Sequence, residues 1–435
     1  MIQFVEGLLP FIGVLGTVVL FHEFGHYLAA KFFGITVEVF SVGFGPRLAG
    51  FVTRGTEYRL SWIPLGGYVK LRGESAPEED APADPGDMLA HPRWQRFVVF
   101  VMGAVFNLIT AVGLTTIIFM QGVQEFAYLY EEPVVGEVDP DSPALAAGIQ
   151  PGDRILSFDG KPVATWKDLH IAMMLSPRQT RPVVLERGGE RIETRLAIEA
   201  TANDVGRPGV FPETGVLVGG LQPGWPAEQA GLEKGDRIVS IDGAPMSTVG
   251  RVYQAIQSAP GRPLRFAIER RGGVFEATIV PRDEAGKGRI GFVPTPPSVT
   301  RSYPFLEAAR QSVRQNIESI GLVFETFRKL IRRELSFRAF SGPVDLYRFS
   351  GEAAEEGLVP FLQLIAFVSL QLGIINLFPI PPLDGGHLFT LAIEGLIRRD
   401  LSTGFKERVM QAGFVLLLVF MATIIYFDVT KNFFN

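Results

Sequence analysis

Residues 22–26 read His22-Glu23-Phe24-Gly25-His26, an H-E-x-x-H pattern set inside the apolar stretch 4–30. Ionisable groups are costly in such a run and need partners there. On a helix, His22 and His26 are four residues apart and share a face, so both imidazoles can reach one Zn2+ while Glu23 lies alongside as general base. An ordinary core helix with a polar patch would leave all three groups in want of partners. The metal reading accounts for them together, and it places metal chemistry inside a membrane segment.

Working outward, three more stretches, 97–123, 358–377 and 409–427, are about 20 residues long or more and apolar enough to span a bilayer. The expected fold is therefore a multi-domain membrane protein with an α-helical core of four spans. Among 435 residues, 47% are hydrophobic and 20% charged, a balance that suits a mosaic of membrane and polar domains. Net charge is −5 and no basic stripe with interleaved aromatics occurs, which argues against a nucleic-acid partner. Cysteine is absent, so disulfides, thiolate zinc sites and a cysteine nucleophile are excluded, and His and carboxylates remain as metal ligands. Residues 1–13 carry no Lys or Arg and no small-residue cleavage site precedes the histidines, so the N-terminus does not read as a cleavable signal peptide.

Loop charges set the orientation. Lys31, Arg47, Arg54, Arg59, Lys70, Arg72, Arg93 and Arg96 lie between the first two stretches, and Arg398, Arg399, Lys406 and Arg408 between the last two. The positive-inside rule puts both loops in the cytoplasm and the large central insertion on the other side. The first and third spans then run in the same direction, and their C-terminal ends meet at one cytoplasmic level.

A catalytic zinc commonly takes three protein ligands and keeps a fourth position for water. The second stretch offers no ionisable residue in its interior, only Asn107. The third is uncharged until Asn376-Leu377-Phe378-Pro379-Ile380-Pro381-Pro382-Leu383-Asp384-Gly385-Gly386-His387. Asp384 is the leading third ligand, at the level of His22 and His26, with prolines before it to break the helix and glycines after it to let the backbone pass closely. The competing use of Asp384 is as N-cap of a helix starting near Gly386. His387 and Glu394 are the next candidates; His91 and His170 read as surface residues.

The polar middle is a repeat. Pro143 to Gly160 (PALAAGIQPGDRILSFDG) and Pro226 to Gly243 (PAEQAGLEKGDRIVSIDG) align throughout at an offset of 226 − 143 = 83 residues. Each copy reads as a short helix closed by Gly, a Gly-Asp turn, an alternating strand and an Asp-Gly hairpin turn. This resembles the PDZ domain in its circularly permuted bacterial form, giving two α+β domains. PDZ domains capture chain ends by strand addition, so the resemblance implies that peptide C-termini bind near 133–138 and 215–219, or that the pair acts as a spacer or size filter.

With both motifs in this order, the chain resembles the site-2 protease family in its bacterial form with tandem PDZ domains, over essentially its whole length. The resemblance implies an intramembrane zinc endopeptidase with ligands His22, His26 and Asp384, Glu23 as catalytic base, and Asn376 placed to contact substrate. It also implies single-span membrane proteins as substrates, of the anti-sigma-factor or signal-peptide-remnant kind, cut near the cytoplasmic face of the inner membrane, with the PDZ domains outside. Residues 341–344 (SGPV) match a family segment before the third span. One departure stands out: the second span reads Gly103-Ala104 where family members commonly have Gly-Pro, which predicts a less bent helix there.

Residues 57–72 predict a β-hairpin turning at 64–67 in the first cytoplasmic loop, either pairing with an unwound substrate strand or tethering the loop to lipid through Trp62 and Tyr68. Residues 302–333 carry apolar residues at helical spacing with Arg and Lys between, and predict amphipathic connecting helices over 300–357. The expected organisation is an N-terminal membrane core at 1–131, PDZ domains at 132–200 and 214–283, those connecting helices, and a C-terminal core at 358–435. A non-catalytic PDZ receptor or chaperone is the alternative function, disfavoured by the intact Glu23. A metal transporter is disfavoured because the polar groups gather at one level.

Overall fold

The structure is a computed structural model that describes residues 2–73, 84–201, 204–207 and 209–433. Two compact units divide the chain: residues 1–122, 302–331 and 337–435 form one, and 123–301 with 332–336 the other.

Among the described residues of the first unit, four helices are long and apolar enough to cross a membrane: Gly7–Phe33, Arg93–Gln121, Leu358–Asn376 and Gly404–Asn432. Their contacts run through small residues. A Cβ on Gly25 of the first span would strike the backbone of Met102 and Gly103 in the second, and one on Gly373 of the third would lie 3.1 Å from the Ala104 carbonyl oxygen. In lipid, where no hydrophobic force drives helix pairing, such close backbone approach supplies the packing. The second span is a continuous helix over Arg93–Gln121 with Ala104 fully buried, in line with an alanine that leaves the helix ladder intact.

The amphipathic helix Phe305–Ile331 packs along these spans, with Val323 against Ala111, Leu370 and Ile374, and Ser312 Oγ donating to the Val112 carbonyl at 2.7 Å. The next helix, Pro343–Glu356, starts at the Ser341-Gly342-Pro343-Val344 segment, and its first amides are satisfied by the fourth span: Asp428 Oδ2 accepts from Val344 N at 2.8 Å and from Asp345 N at 3.3 Å. Asp345 is itself fully buried and is paired by Lys431 Nζ at 2.6 Å and Asn432 Nδ2 at 3.0 Å. A buried carboxylate is tolerable only when so paired.

The loop after the first span holds two long antiparallel strands, Val37–Thr53 and Thr56–Leu71. The tight turn is Arg54-Gly55, both left-handed at φ 47° and 76°, as a two-residue hairpin loop requires. This revises the sequence reading, which turned the chain at 64–67 and paired 57–72 with itself. Instead Val39 is partnered by both Glu57 and Lys70, so residues 37–42 lie between the two halves of the second strand. The Arg-Gly pair is a weaker turn signal than Pro64 to Gly67, and the first strand's long reach outweighs it. Phe51, Val52, Trp62 and Ile63 stand exposed on this hairpin.

The second unit contains the repeat. In the first copy, Arg154–Phe158, Thr180–Arg187 and Glu190–Ala197 pair in sequence, and helix Trp166–Met174 covers them, capped by reciprocal bonds between Thr165 and Asp168. The second copy builds a six-stranded sheet with helix Val249–Gln257, capped by Thr248. Equivalent ion pairs recur at the offset of 83: Arg187 on buried Asp153 at 2.6 Å, and Arg270 on buried Asp236 at 2.7 Å, each arginine also donating to a helix-ending carbonyl, Gly148 or Gly231. Burial pushes the Asp153 carboxyl up, but the Arg187 bonds and the Gln150 amide outweigh it and hold it below its ordinary value. A depressed carboxylate stabilises the fold above its unfolded value of about 4 and loses that contribution as pH falls through the lower folded value. Arg187→Ala is expected to speed amide exchange in 154–158 and 180–187 at neutral pH, and the wild type to do so only below about pH 4; unchanged exchange in the variant at pH 7 would count against the pair.

The strand-addition loops differ from expectation. Strand Val216–Leu221 is hydrogen-bonded on both sides, to Arg237–Ile241 and to Phe292–Thr295, and has no edge to offer. The outer strand is Phe292–Thr295, which returns from beyond residue 283. In the first copy, Val210–Phe211 likewise adds to Glu137–Val138, and Gly136 N donates to the Phe211 carbonyl at 2.8 Å. Residues 216–221 are thus inner backbone in the second copy, and on that side the outer strands are 292–295 there and 210–211, beside 137–138, in the first.

Candidate metal centre

His22 and His26 lie on the first span with Glu23 between them, one turn apart as the four-residue spacing dictates. Asp384 is the first residue of helix Asp384–Ile397, which follows the third span after the Pro-rich turn. Its side chain does not cap that helix; Leu383 occupies the cap position. Asp384 Oδ2 instead lies 3.1 Å from His22 Nε2 and 3.3 Å from His26 Nε2, and the two Nε2 atoms are 3.3 Å apart. The ligand atoms of His22, His26 and Asp384 all fall within 4.8 Å of one another, and both histidines are buried. Two ring nitrogens and a carboxylate oxygen facing one point form a donor set that suits Zn2+. Among the described residues Asp384 Oδ2 has no hydrogen-bond partner, and a cation at that point would supply one.

Neighbouring groups orient the rings. His26 Nδ1 faces the Val99 carbonyl oxygen at 2.8 Å, which accepts its hydrogen and leaves Nε2 free for the shared point. Glu23 Oε2 accepts from the Val69 backbone amide at 2.9 Å, so the hairpin strand grips the carboxylate. Asn376, the last residue of the third-span helix, brings Nδ2 within 3.4 and 3.3 Å of the two ring nitrogens of His22.

Gly103, to which the sequence alone gave no role, is needed at the site. A Cβ on Gly103 would come within 2.6 Å of His26 Cε1 and 2.8 Å of His22 Cε1, so only glycine lets the second span lie against both rings. The signal available was the small Gly103-Ala104 pair in an apolar helix. Gly385 and Gly386 serve a purpose other than the one expected. A Cβ on Gly386 would sit 2.7 Å from Pro381 N, and one on Gly385 2.6 Å from the carbonyl carbon of Leu377, so they let the helix fold back onto the 377–381 turn and aim Asp384.

The reserve candidates are employed elsewhere. His387 stacks on Phe100 with centroids 4.5 Å apart. Glu394 is fully buried against Lys406 Nζ at 2.6 Å and accepts from Leu401 N at 2.9 Å. His91 bonds Gln95 at 2.7 Å, whereas His170 is half-buried against Trp166 and Tyr128 rather than a surface residue; burial lowers its basicity.

The profile of peptidase family M50 matches residues 10–420. The chain belongs to this family. The regulator of sigma-E protease RseP of Escherichia coli is 32% identical over 99% of this chain and 100% of its own length. RseP of Salmonella typhimurium is 31% identical with the same two coverages. A protein of Neisseria meningitidis named as a zinc metalloprotease is 33% identical over 98% of this chain and 99% of its own. The M50 peptidase described here is thus an intramembrane zinc metalloendopeptidase of the site-2 protease type, a bacterial inner-membrane protein.

Proposed function

We propose that this M50 peptidase cleaves single-span membrane proteins near the cytoplasmic face, with His22, His26 and Asp384 holding zinc and Glu23 as general base. The observation that carries the reading is the convergence of His22 Nε2, His26 Nε2 and Asp384 Oδ2, from the first span and from the helix after the third. When bound, zinc supplies the Lewis acidity that polarises a peptide carbonyl and lowers the pKa of water. Glu23 takes a proton from the attacking water and returns it to the leaving amine. Its tether to Val69 keeps one carboxylate oxygen occupied and leaves the other to carry the proton. Asn376, beside His22, bonds substrate backbone as its helix unwinds.

The loop arginines and lysines support a cytoplasmic position for the site and an outer position for the PDZ domains. The exposed Phe51, Val52, Trp62 and Ile63 suit a hairpin that dips into lipid, where an open strand can pair with substrate that has lost its helical bonds. Peptide C-termini are bound at the outer strands 210–211 and 292–295, and the tandem screens substrates by the size of their outer part. Substrates are of the anti-sigma-factor or signal-peptide-remnant kind, shortened beforehand by another protease.

The test is a set of tagged single-span proteins reconstituted with the full chain in bilayers, differing in the depth of a helix-breaking pair and in the size of the outer domain. Cutting is expected to centre on the cytoplasmic third and to fall as the outer domain grows. Cutting at the opposite face would reject the sidedness, and indifference to outer size would reject the filter.

A further inference from the structure

Val99 accounts for the second nitrogen of His26, and the same question arises at His22. Nε2 of His22 faces Asp384 Oδ2 and His26 Nε2, so ligation through Nε2 requires its lone pair to be free and the ring hydrogen to sit on Nδ1. That N–H is buried and needs an acceptor. Among the described residues, two side-chain amides lie within reach of Nδ1, placed with their nitrogens toward it: Asn107 Nδ2 at 3.3 Å and Asn376 Nδ2 at 3.4 Å. Asn376 is nearly equidistant from both ring nitrogens, hence on the axis of neither.

Asn107 is different. It is fully buried, and its backbone carbonyl is held by Ser369 Oγ at 2.9 Å, which fixes its place between the second and third spans. Its Oδ1 is buried with no partner among the described residues. An amide oxygen and nitrogen exchange places by a half-turn, which is decided by the surrounding hydrogen bonds. We infer that Asn107 is a positioning residue for His22, its side-chain oxygen accepting the Nδ1 hydrogen and so presenting Nε2 to the metal. Ligating histidines typically use their other ring nitrogen in this way, and loss of such a partner costs about 10–100-fold in metal affinity. The inference rests on the proposed ligand set.

The test measures zinc affinity of the full chain in detergent by chelator competition, for wild type, Asn107→Leu, Asn107→Asp and Asp384→Ala. Asn107→Leu removes the acceptor at similar volume and is expected to weaken zinc about 10–100-fold. Asn107→Asp keeps an acceptor and is expected to stay near wild type. Leucine binding as wild type, or both variants losing equally, would overturn the inference. Should Asp384→Ala also bind as wild type, the ligand set itself is wrong, which separates the two failures. Nitrogen-edited NMR of histidine-labelled wild type gives a reading that needs no variant: a solvent-protected His22 Nδ1 proton is expected, and a hydrogen on Nε2 would contradict it.

Discussion

Glu23→Gln is expected to reduce peptide-bond hydrolysis by about 10²–10⁴-fold, the share of a positioned general base, while zinc content stays at the wild-type level. The substitution keeps the size of the side chain, and a glutamine oxygen can still accept from Val69 N, the 2.9 Å bond that ties this residue to the hairpin. What it removes is the ability to take and return a proton. Single-turnover cleavage of a tagged substrate, with metal analysis of the same sample, separates the two effects. Equal cleavage by both forms would reject the role given to Glu23, and lost zinc would mean that the residue holds the metal site together instead.

Removing the third-span contribution should have the opposite signature. Asp384→Ala is expected to weaken zinc by more than about 100-fold, beyond the range set by outer-shell partners, and to abolish activity with it. Asp384 is the one carboxylate in the three-residue group, and its Oδ2 lies 3.1 and 3.3 Å from the two histidine nitrogens. The comparison is His387→Ala, one turn further along the same helix, where the ring stacks on Phe100. That change should leave zinc bound. If the two variants retain zinc alike, the third ligand lies elsewhere.

Much of the fold was legible because its signals are local. Four apolar runs announced four spans, and the 83-residue offset announced a duplicated domain, now visible as matching Arg187–Asp153 and Arg270–Asp236 pairs. The hairpin was less legible: a strong Pro-Leu-Gly-Gly signal at 64–67 drew the turn away from Arg54-Gly55, because the pairing of residues 37–42 with the distant 67–71 leaves little trace in a single strand's sequence. The outer strands at 210–211 and 292–295 were missed for the same reason.

At the candidate site, the sequence by itself determined the chemistry available. The four-residue spacing of His22 and His26 puts both on one helix face, and the absence of cysteine together with the scarcity of charge in the other spans singled out Asp384. Only the tertiary structure decided how those groups meet and what holds them. Glycine at 103 admits both rings against the second span, the Val99 carbonyl and Asn107 stand at their far nitrogens, Val69 reaches Glu23 from the hairpin, and the 385–386 glycines turn Asp384 inward. The reason is physical: periodicity is carried within one helix, whereas close approach and hydrogen-bond satisfaction are properties of pairs of segments that the chain brings together only on folding.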